Sequence, residues 1–444
     1  MDIIPTVAAT LQENLGKELD QLARECHVVL REREFTGQTL LLMIVVTLMH
    51  KPDATWTDFH LTAAQLGLEV TRTAVEKRFG AGQPLVDFLR SALERALQKS
   101  VAGNPSSAEL LRRFTAVLVG DATTIALPAE LADLFPGCGG AVGTSRAALK
   151  LQVLWDLKTG QLVKLHVEPG RASDAKSPIA VPEAEPGTLL IYDLGYFDLG
   201  RFAALDGKKA KYNSRLQHGT QVYDTGGNHL NLLTYLREQP AALVDRRILL
   251  GVSERLPCRL IAIRVPEEVA NRRRQQARET AKRKGRTPSA EYLELLGWSL
   301  FITNASVEDL TWKAVIVLYR ARWQIELLFE LWKSHNHLGR SRPGASALEV
   351  LAVFYAKLLG VVLQNWILVA TAGANESRSM PKAALALMGM VKALLLCLED
   401  RVEMEKELHE LREVIENLGG TTNRKKDPTH AQLIANPEFL TWLC

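Results

Sequence analysis

The stretch Tyr319-Arg-Ala-Arg-Trp-Gln-Ile-Glu-Leu-Leu-Phe-Glu-Leu-Trp-Lys333 decides how the rest of this sequence is interpreted. It contains no Gly or Pro, and its Leu, Glu, Gln, Arg and Lys residues favour an α-helix. At about 100° per residue, one narrow stripe of that helix carries only polar groups. The stripe consists of Tyr319, Arg322, Glu326 and Lys333. Another side is apolar and predicted to be buried; it consists of Ala321, Ile325, Leu328, Phe329 and Trp332.

A phenol, a guanidinium, a carboxylate and an ammonium on a largely buried helix are costly unless they bind something. The simplest alternative is that Arg322 and Glu326, four residues apart, form an ordinary ion pair on the helix surface. Choosing between these interpretations requires the rest of the chain.

The spacing Y-x2-R-x3-E-x6-K in this stretch resembles the signature of a large family of bacterial insertion-sequence transposases of the DDE class. In that family the Glu, here Glu326, is the third catalytic carboxylate. The resemblance implies a ribonuclease H-like α/β core in which two upstream aspartates follow β-strands. It covers roughly residues 55 to 375 of the chain.

Two aspartates follow short apolar runs of the kind that form buried strands. Asp121 ends the run 114–120, and Asp193 ends the run 188–192. Between them, alternating residues in 149–157 and 161–168, joined at Lys158-Thr-Gly160, predict a β-hairpin. A helix is predicted after Ser173. Three strands, a helix and a strand is the element order of the ribonuclease H-like fold.

Composition sets limits on the other classes of function. The 444 residues carry a net charge of +4 with 47% hydrophobic and 23% charged residues, which is typical of a globular protein of several domains. The five cysteines lack any C-x-x-C, which argues against a zinc knuckle and fits a reducing cytosol. The apolar segments 40–49 and 350–371 are expected to be core helices, because the first is too short to span a membrane and the second contains Lys357.

The N-terminal region is predicted to be helical and to bind DNA. Its segment 59–79 has the pattern of helix, turn, helix, with Gly67 able to end the first helix. A plain helical hairpin fits the same pattern. In the DNA-binding interpretation the second helix enters a major groove. Its candidate DNA contacts are Arg72, Lys77 and Arg78.

The segment between the second aspartate and the signature contains several short strand-like runs and is predicted to be a β-rich insertion. These runs are 211–216, 220–224, 230–236, 247–252 and 260–265. The insertion also contains the run 271–286, with eight basic residues and one acid. A charge run of this kind is commonly a solvated surface segment. Beside a DNA-cutting core it is equally well explained as a clamp on the phosphate backbone.

These features predict five regions in chain order. They are a helical DNA-binding region (1–105), the first part of the core (106–207), the β-rich insertion (208–305), the rest of the core with the signature helix (306–375) and a helical C-terminal region (376–444), for which the resemblance implies a dimer contact.

The predicted chemistry is metal-assisted cleavage of phosphodiesters. Carboxylates from two strand ends and one helix provide the hard oxygen ligands that Mg²⁺ prefers, and Mn²⁺ is expected to substitute for it. Two such ions can clamp the attacking and leaving oxygens at phosphorus. The predicted catalytic and metal-binding residues are Asp121, Asp193 and Glu326. Asp198 is the rival for the second position and Asp133 for the first.

The resemblance assigns DNA-binding roles to further residues. It implies that Tyr319, Arg322 and Lys333 hold phosphates beside the scissile bond, and that Arg215 grips the DNA end. It also implies that Trp298 stacks on a flipped base, although a Trp at such a position is more often core filling.

The expected function is cut-and-paste DNA transposition by a homodimer that binds terminal inverted repeats, and both a hairpin and a non-hairpin route of cleavage stay open. The expected partner is double-stranded DNA, both element ends and target, and the expected location is the bacterial cytoplasm, with no membrane association. The alternatives are a ribonuclease H-like DNA endonuclease without strand transfer and a catalytically silent DNA-binding inhibitor.

Overall fold

The computed structural model describes residues 2–31, 34–139, 146–179, 184–373, 379–418 and 428–440. They form a mixed α/β structure with one large sheet and helices toward both ends of the chain. The helices are α1 (Ile4–Leu15), α2 (Glu18–Glu25), α3 (Gly37–His50), α4 (Trp56–Gln65), α5 (Arg72–Phe79), α6 (Gln83–Leu97), α7 (Glu109–Arg112), α8 (Leu199–Gly207), α9 (Leu232–Arg237), α10 (Glu267–Arg283), α11 (Ala290–Leu295), α12 (Trp312–Ala321), α13 (Trp323–Ser334), α14 (Ala347–Thr371), α15 (Met380–Leu396), α16 (Arg401–Asn417) and α17 (His430–Ala435). The strands are β1 (Val117–Leu127), β2 (Ala147–Asp156), β3 (Leu162–Pro169), β4 (Leu189–Tyr192), β5 (Lys211–Arg215), β6 (Val222–Tyr223), β7 (Leu243–Leu250), β8 (Leu256–Arg264) and β9 (Trp298–Thr303).

Within the described residues, the nine strands of the sheet follow the order β3-β2-β1-β4-β5-β9-β8-β7-β6. β4 is parallel to both β1 and β5, whereas β2 and β3 form the antiparallel hairpin predicted from their alternation. From β5 onward all pairs are antiparallel, in the order β5, β9, β8, β7 and β6. The parallel strand β4 is short and fully buried, which explains its continuous apolar side chains, whereas β5 is short and buries Tyr212, Asn213 and Ser214.

The chain folds into two compact units. The first comprises Met1–Ser106, Ala122–Ala172 and Ile325–Thr422. The second comprises Ser107–Asp121, Ser173–Gln324 and Asn423–Cys444. The five-region organisation based on sequence stays a prediction.

The first unit is mainly helical and is built around two apolar helices, α3 and α14. Nearly every residue of α3 is buried, as expected for a core helix. Among the described helices, α14 is long and apolar enough to cross a membrane, but 72% of its most apolar 18-residue stretch is buried inside the protein. Such burial is typical of a core helix, which agrees with the sequence analysis.

The insertion in the second unit contains more helix than predicted. The segment 230–236, predicted as a strand, contains α9, because the Asn231 side chain accepts a hydrogen bond from the Thr234 amide and caps a helix there. The helix predicted after Ser173 is a single 3-10 turn, Asp174–Lys176. The basic run lies largely on the long helix α10.

The signature stretch forms two consecutive helices rather than one. α12 ends at Ala321 and α13 begins at Trp323, with Arg322 between them at φ −50° and ψ −33°. The prediction of one unbroken helix was therefore wrong. The predicted burial of its apolar side is confirmed for all five residues, which are Ala321, Ile325, Leu328, Phe329 and Trp332.

The helix, turn, helix pattern in the N-terminal region is confirmed. α4 and α5 flank a turn in which Gly67 takes φ of +75°, a conformation that favours glycine. The two helices pack through aromatic rings, with the centroids of Phe59 and Phe79 4.8 Å apart and those of Trp56 and Phe79 also 4.8 Å apart.

Candidate active site

Asp121 and Asp193 follow the paired residues of two neighbouring parallel strands. In the register of β1 and β4, Gly120 is the partner of Tyr192, so each aspartate is the next residue along its chain. Adjacent strands lie about 5 Å apart, which brings the two residues close together. Asp193 directly follows β4, as predicted. Asp121 does not end its strand, since β1 continues to Leu127, but it lies where the pairing with β4 stops.

Each of these aspartates contacts a residue of the signature stretch. The Arg322 guanidinium forms an ion pair with the Asp121 carboxylate, and both side chains are mostly buried, with 14% and 16% exposed respectively. The Tyr319 hydroxyl donates a hydrogen bond of 3.2 Å to Oδ1 of Asp193. Burial, together with the Asp193 carboxylate, raises the pKa of Tyr319 to about 12. The phenol therefore remains a hydrogen-bond donor at neutral pH.

A cationic cavity of about 410 Å³ lies beside these groups in the second unit. Its lining includes Arg215, Arg273, Tyr319, Arg320, Arg322 and Trp323. The Arg215 guanidinium lies over the ring of Phe301, 4.9 Å from its centroid, and burial lowers the pKa of Arg215 from its usual value. Several guanidinium groups around one cavity favour an anion such as phosphate, because each can donate more than one hydrogen bond.

Glu326 and Lys333 both lie on α13. Glu326 is in the first turn and half-buried, while Lys333 is in the last turn and exposed. These residues belong to the first unit, whereas Asp121 and Asp193 belong to the second. A metal site shared by the three carboxylates stays a prediction.

The described residues contain no group of three or more His, Cys, Asp or Glu arranged to hold a metal ion. The donors at Asp121 and Asp193 nonetheless have the right chemistry for Mg²⁺, because both are carboxylates that follow paired strand residues. Asp121 already attracts a cationic group, the guanidinium of Arg322. The residues present therefore fit a divalent cation in chemical type.

The rival aspartates have other structural roles. The Asp198 side chain accepts a hydrogen bond of 2.8 Å from the Arg201 amide and caps α8. Asp133 is exposed and follows a 3-10 turn rather than a strand. A capping role favours Asp193 over Asp198 as the second ligand.

Trp298 begins β9 and is only 8% exposed. The guanidinium of Arg264 lies 4.9 Å from the ring centroid. The residue also lines a cavity of about 850 Å³ in the second unit, together with His218 and Tyr292. The buried ring fills core space in this structure, and base stacking by Trp298 stays a prediction.

The candidate DNA contacts on α5 differ in accessibility. Arg72 and Lys77 are exposed, whereas Arg78 is half-buried and its guanidinium lies over the Phe35 ring, 4.8 Å from the centroid. Two of the three residues therefore present their charge to solvent.

Several residues that line the cationic cavity were not selected from the sequence, among them Trp323 and Arg273. Trp323 lies inside the signature stretch, is 51% exposed and lines the cavity. Only the break between α12 and α13 distinguishes this Trp from the buried apolar residues of the same stretch. Arg273 belongs to the basic run, where nothing in the sequence distinguishes it from its neighbours. Its guanidinium donates to the Trp298 carbonyl and the Ser299 hydroxyl.

Comparison with known proteins identifies a matching family and several similar proteins. The family described as "Transposase DDE domain" matches residues 112–355. The chain is 28% identical over 366 residues to the transposase for insertion sequence element IS231F of Bacillus thuringiensis subsp. israelensis, covering 78% of this chain and 76% of the relative. It is 30% identical to the transposase for IS231C of Bacillus thuringiensis subsp. berliner, covering 71% and 70%. It is 23% identical to the transposase for IS1151 of Clostridium perfringens, covering 79% and 77%.

Proposed function

The chain belongs to the DDE-domain transposases of bacterial insertion sequences, enzymes that act on DNA, and we propose that it carries out cut-and-paste transposition of its own element. It binds the terminal inverted repeats, cleaves the DNA by metal-assisted hydrolysis and joins the freed 3′ ends to target DNA. The observation that carries this proposal is the pair of contacts from the signature stretch to the two aspartates that follow the paired residues of β1 and β4, Arg322 to Asp121 and Tyr319 to Asp193.

We propose that the core is ribonuclease H-like. The strand order β3-β2-β1-β4-β5, with β4 and β5 parallel to β1 and the hairpin antiparallel, supports this assignment. In this fold the antiparallel strands β6 to β9 are an insertion before the signature helices. The β5–β9 pairing joins the insertion to the core strands of the sheet.

The proposed catalytic carboxylates are Asp121, Asp193 and Glu326. The first two are supported by their neighbouring positions after β1–β4 pairing, and Glu326 by its place in the family signature, four residues after Arg322. These three residues would hold Mg²⁺, or Mn²⁺ in its place. The bound cations would activate the attacking water or 3′-hydroxyl and neutralise the leaving oxygen.

The cationic side chains bind and orient the DNA in this proposal. Arg215 and Arg322 line the cavity of about 410 Å³ and provide donors for phosphate oxygens, and Tyr319 remains protonated and can donate as well. Lys333, exposed in the last turn of α13, holds a neighbouring phosphate. Trp298 stacks on a base extruded from the duplex, which would require movement of its buried ring.

The helical ends of the chain supply recognition and assembly in this proposal. α5 presents Arg72 and Lys77 to a major groove of the terminal repeat, with Arg78 closer to the protein surface. The C-terminal helices α15 and α16 carry a homodimer contact in the DNA complex.

The test is cleavage of a duplex that carries the element's own end, in the presence of Mg²⁺, followed on a denaturing gel. Glu326→Gln should abolish cleavage, by at least about a thousandfold, because loss of a metal ligand removes transition-state stabilisation of several kcal/mol. Binding of the end, measured by gel shift, should change less than about threefold.

The matched control is Glu330→Gln, which removes the same charge from an exposed position on the same helix. It should cleave like the wild type. Cleavage by Glu326→Gln at the wild-type rate would refute the assignment. Joined products with a second duplex distinguish a transposase from a nuclease that only hydrolyses DNA, and a wild-type protein that binds ends without cutting them would be an inhibitor.

A further inference from the structure

The basic residues of the run 271–286, most of which lie on helix α10, fall into two structurally different groups. Arg273 donates to the Trp298 carbonyl and the Ser299 hydroxyl, and Arg274 donates to the Leu293 carbonyl and to the Glu267 carboxylate. These two guanidiniums are therefore used in holding the helix to its own unit. The remaining six basic residues are exposed, and we call them the basic arm. They are Arg272, Arg278, Lys282, Arg283, Lys284 and Arg286.

The basic arm has a defined face because α10 is anchored along the opposite side. The only buried residues of this helix are Val269 and Ala270 in its first turn, which pack with Val265. Ala277 and Ala281, half-buried, continue that side toward the end of the helix. At about 100° per residue, Arg272, Lys282 and Arg283 lie at least 100° from both alanines, and Arg278 lies at the edge of this face, nearer to Ala281.

The positive charge of the basic arm is not neutralised within the protein. In the part of the chain that the structure describes, none of its six bases is seen in an ion pair. The single acid inside the run, Glu279, accepts a hydrogen bond of 3.0 Å from Gln275 instead. Exposed surface charges of a folded domain are commonly interspersed with the opposite sign, so a surface on which six basic residues accompany a single acid, Glu279, favours an anionic partner.

The dimensions of the arm suit a nucleic acid backbone. From Arg272 to Arg283 the helix rises about 16 Å, and duplex DNA carries about one charge per 1.7 Å of its axis. A duplex lying along the helix therefore places several phosphates within reach of four long side chains. Exposed, flexible basic side chains that contact phosphates respond to charge rather than to base sequence.

We propose that the basic arm is a sequence-independent binding surface for the backbone of duplex DNA. This inference rests on the proposed function for the identity of the polyanion. It adds a DNA contact that is separate from the signature residues and from α5. Its role is to hold DNA that need not contain the terminal repeat.

The test is equilibrium binding of the full-length protein to a duplex without the terminal repeat, in EDTA, over a range of salt concentrations. The arm variant carries Arg272→Gln, Arg278→Gln, Lys282→Gln and Arg283→Gln, changes that keep helix propensity on exposed positions. Four lost phosphate contacts should reduce the slope of log K against log salt by about 3 to 4 and weaken binding about 100-fold at 0.1 M salt.

The matched control removes four exposed positive charges that lie outside α5, the cationic cavity and the C-terminal helices. It carries Arg112→Gln, Lys164→Gln, Lys208→Gln and Lys209→Gln. The control should keep a slope within about 1 of the wild type. The proposal would be overturned if the salt slope fell no further in the arm variant than in the control. It would also be overturned if both variants lost the same amount of affinity for the duplex. Circular dichroism and thermal unfolding check that both variants are folded.

Because the binding assay contains no divalent metal, it is independent of catalysis. If the wild type fails to cleave element ends while the arm variant loses duplex binding, the proposed function fails and the arm stands. If the wild type cleaves and the arm variant binds like the control, the arm fails and the proposed function stands.

Discussion

At the scale of single residues, the two aspartates of the candidate site contact side chains from the signature stretch. Asp121 has the positive charge of Arg322 beside it, and Asp193 has the hydroxyl of Tyr319. In the proposed site, the Arg322 guanidinium and a divalent cation would compete for the carboxylate oxygens of Asp121. Arg322 therefore has two proposed roles, stabilising the metal-free carboxylate and binding phosphate once a metal is bound.

This competition predicts the behaviour of Arg322→Ala. Without metal the variant should be less stable than the wild type by about 2 kcal/mol, because a mostly buried carboxylate loses a charged hydrogen-bond donor. Mg²⁺ should recover part of that loss, so the rise in melting temperature on adding Mg²⁺ should be larger in the variant than in the wild type. Thermal unfolding in EDTA and in Mg²⁺ measures both effects.

Arg320→Ala is the control, since it removes a neighbouring guanidinium that lines the same cavity. Its response to Mg²⁺ should equal that of the wild type. A response of Arg322→Ala no larger than the wild type's would contradict competition between Arg322 and the metal at Asp121.

At the scale of elements, sequence patterns predicted most strands of the sheet, and they failed where local and tertiary effects disagree. The signature stretch contains only good helix formers, and Arg322 keeps right-handed helical angles, so no residue type marks the break between α12 and α13. The alternation in 230–236 favoured a strand, but the cap at Asn231 was a visible local signal for α9. Caps deserve more weight than short alternation in such segments.

Helix α14 holds the segment that follows α13 through one buried lysine. Lys357 is 4% exposed, and its Nζ donates to the carbonyls of His337 and Arg340 at 2.9 and 2.8 Å. Burial lowers the pKa of Lys357 to about 8. The sequence showed a lysine in an apolar helix, but its carbonyl partners lie outside that helix and could not be inferred from spacing.

The lowered pKa of Lys357 predicts a specific pH dependence of stability. Between pH 8 and the unfolded value of 10.5, the unfolded chain binds more protons at this residue than the folded one, so stability rises with pH. The free energy of unfolding of the wild type, minus that of Lys357→Met, should increase by about 3 kcal/mol from pH 8 to pH 11. Urea unfolding at a series of pH values measures the difference.

Gln364→Leu is a suitable control, because this neighbour on α14 is equally buried but does not titrate. The free energy of unfolding of the wild type, minus that of Gln364→Leu, should not change between pH 8 and pH 11. No change for Lys357→Met as well would show that the ammonium is not destabilised by burial.

At the scale of the whole molecule, the net charge of +4 gave no indication of function, whereas the distribution of charge did. One cavity of the second unit is lined by arginines, and one face of α10 carries exposed bases. The sequence predicted the mixed α/β class and the helical ends, because periodicity and turn residues are local properties. It could not predict which bases of the run 271–286 are tethered, since that depends on acceptors at Leu293, Trp298 and Ser299.

The central claim is that Asp121, Asp193 and Glu326 bind divalent metal together at the reaction site. The most direct measurement is anomalous scattering from Mn²⁺ in crystals of the protein bound to a duplex that carries the element's end. The account predicts Mn²⁺ peaks about 2.2 Å from carboxylate oxygens of all three residues, with Arg322 no longer paired with Asp121. Mn²⁺ bound elsewhere, with the Arg322–Asp121 ion pair intact and Glu326 away from any metal, would contradict it.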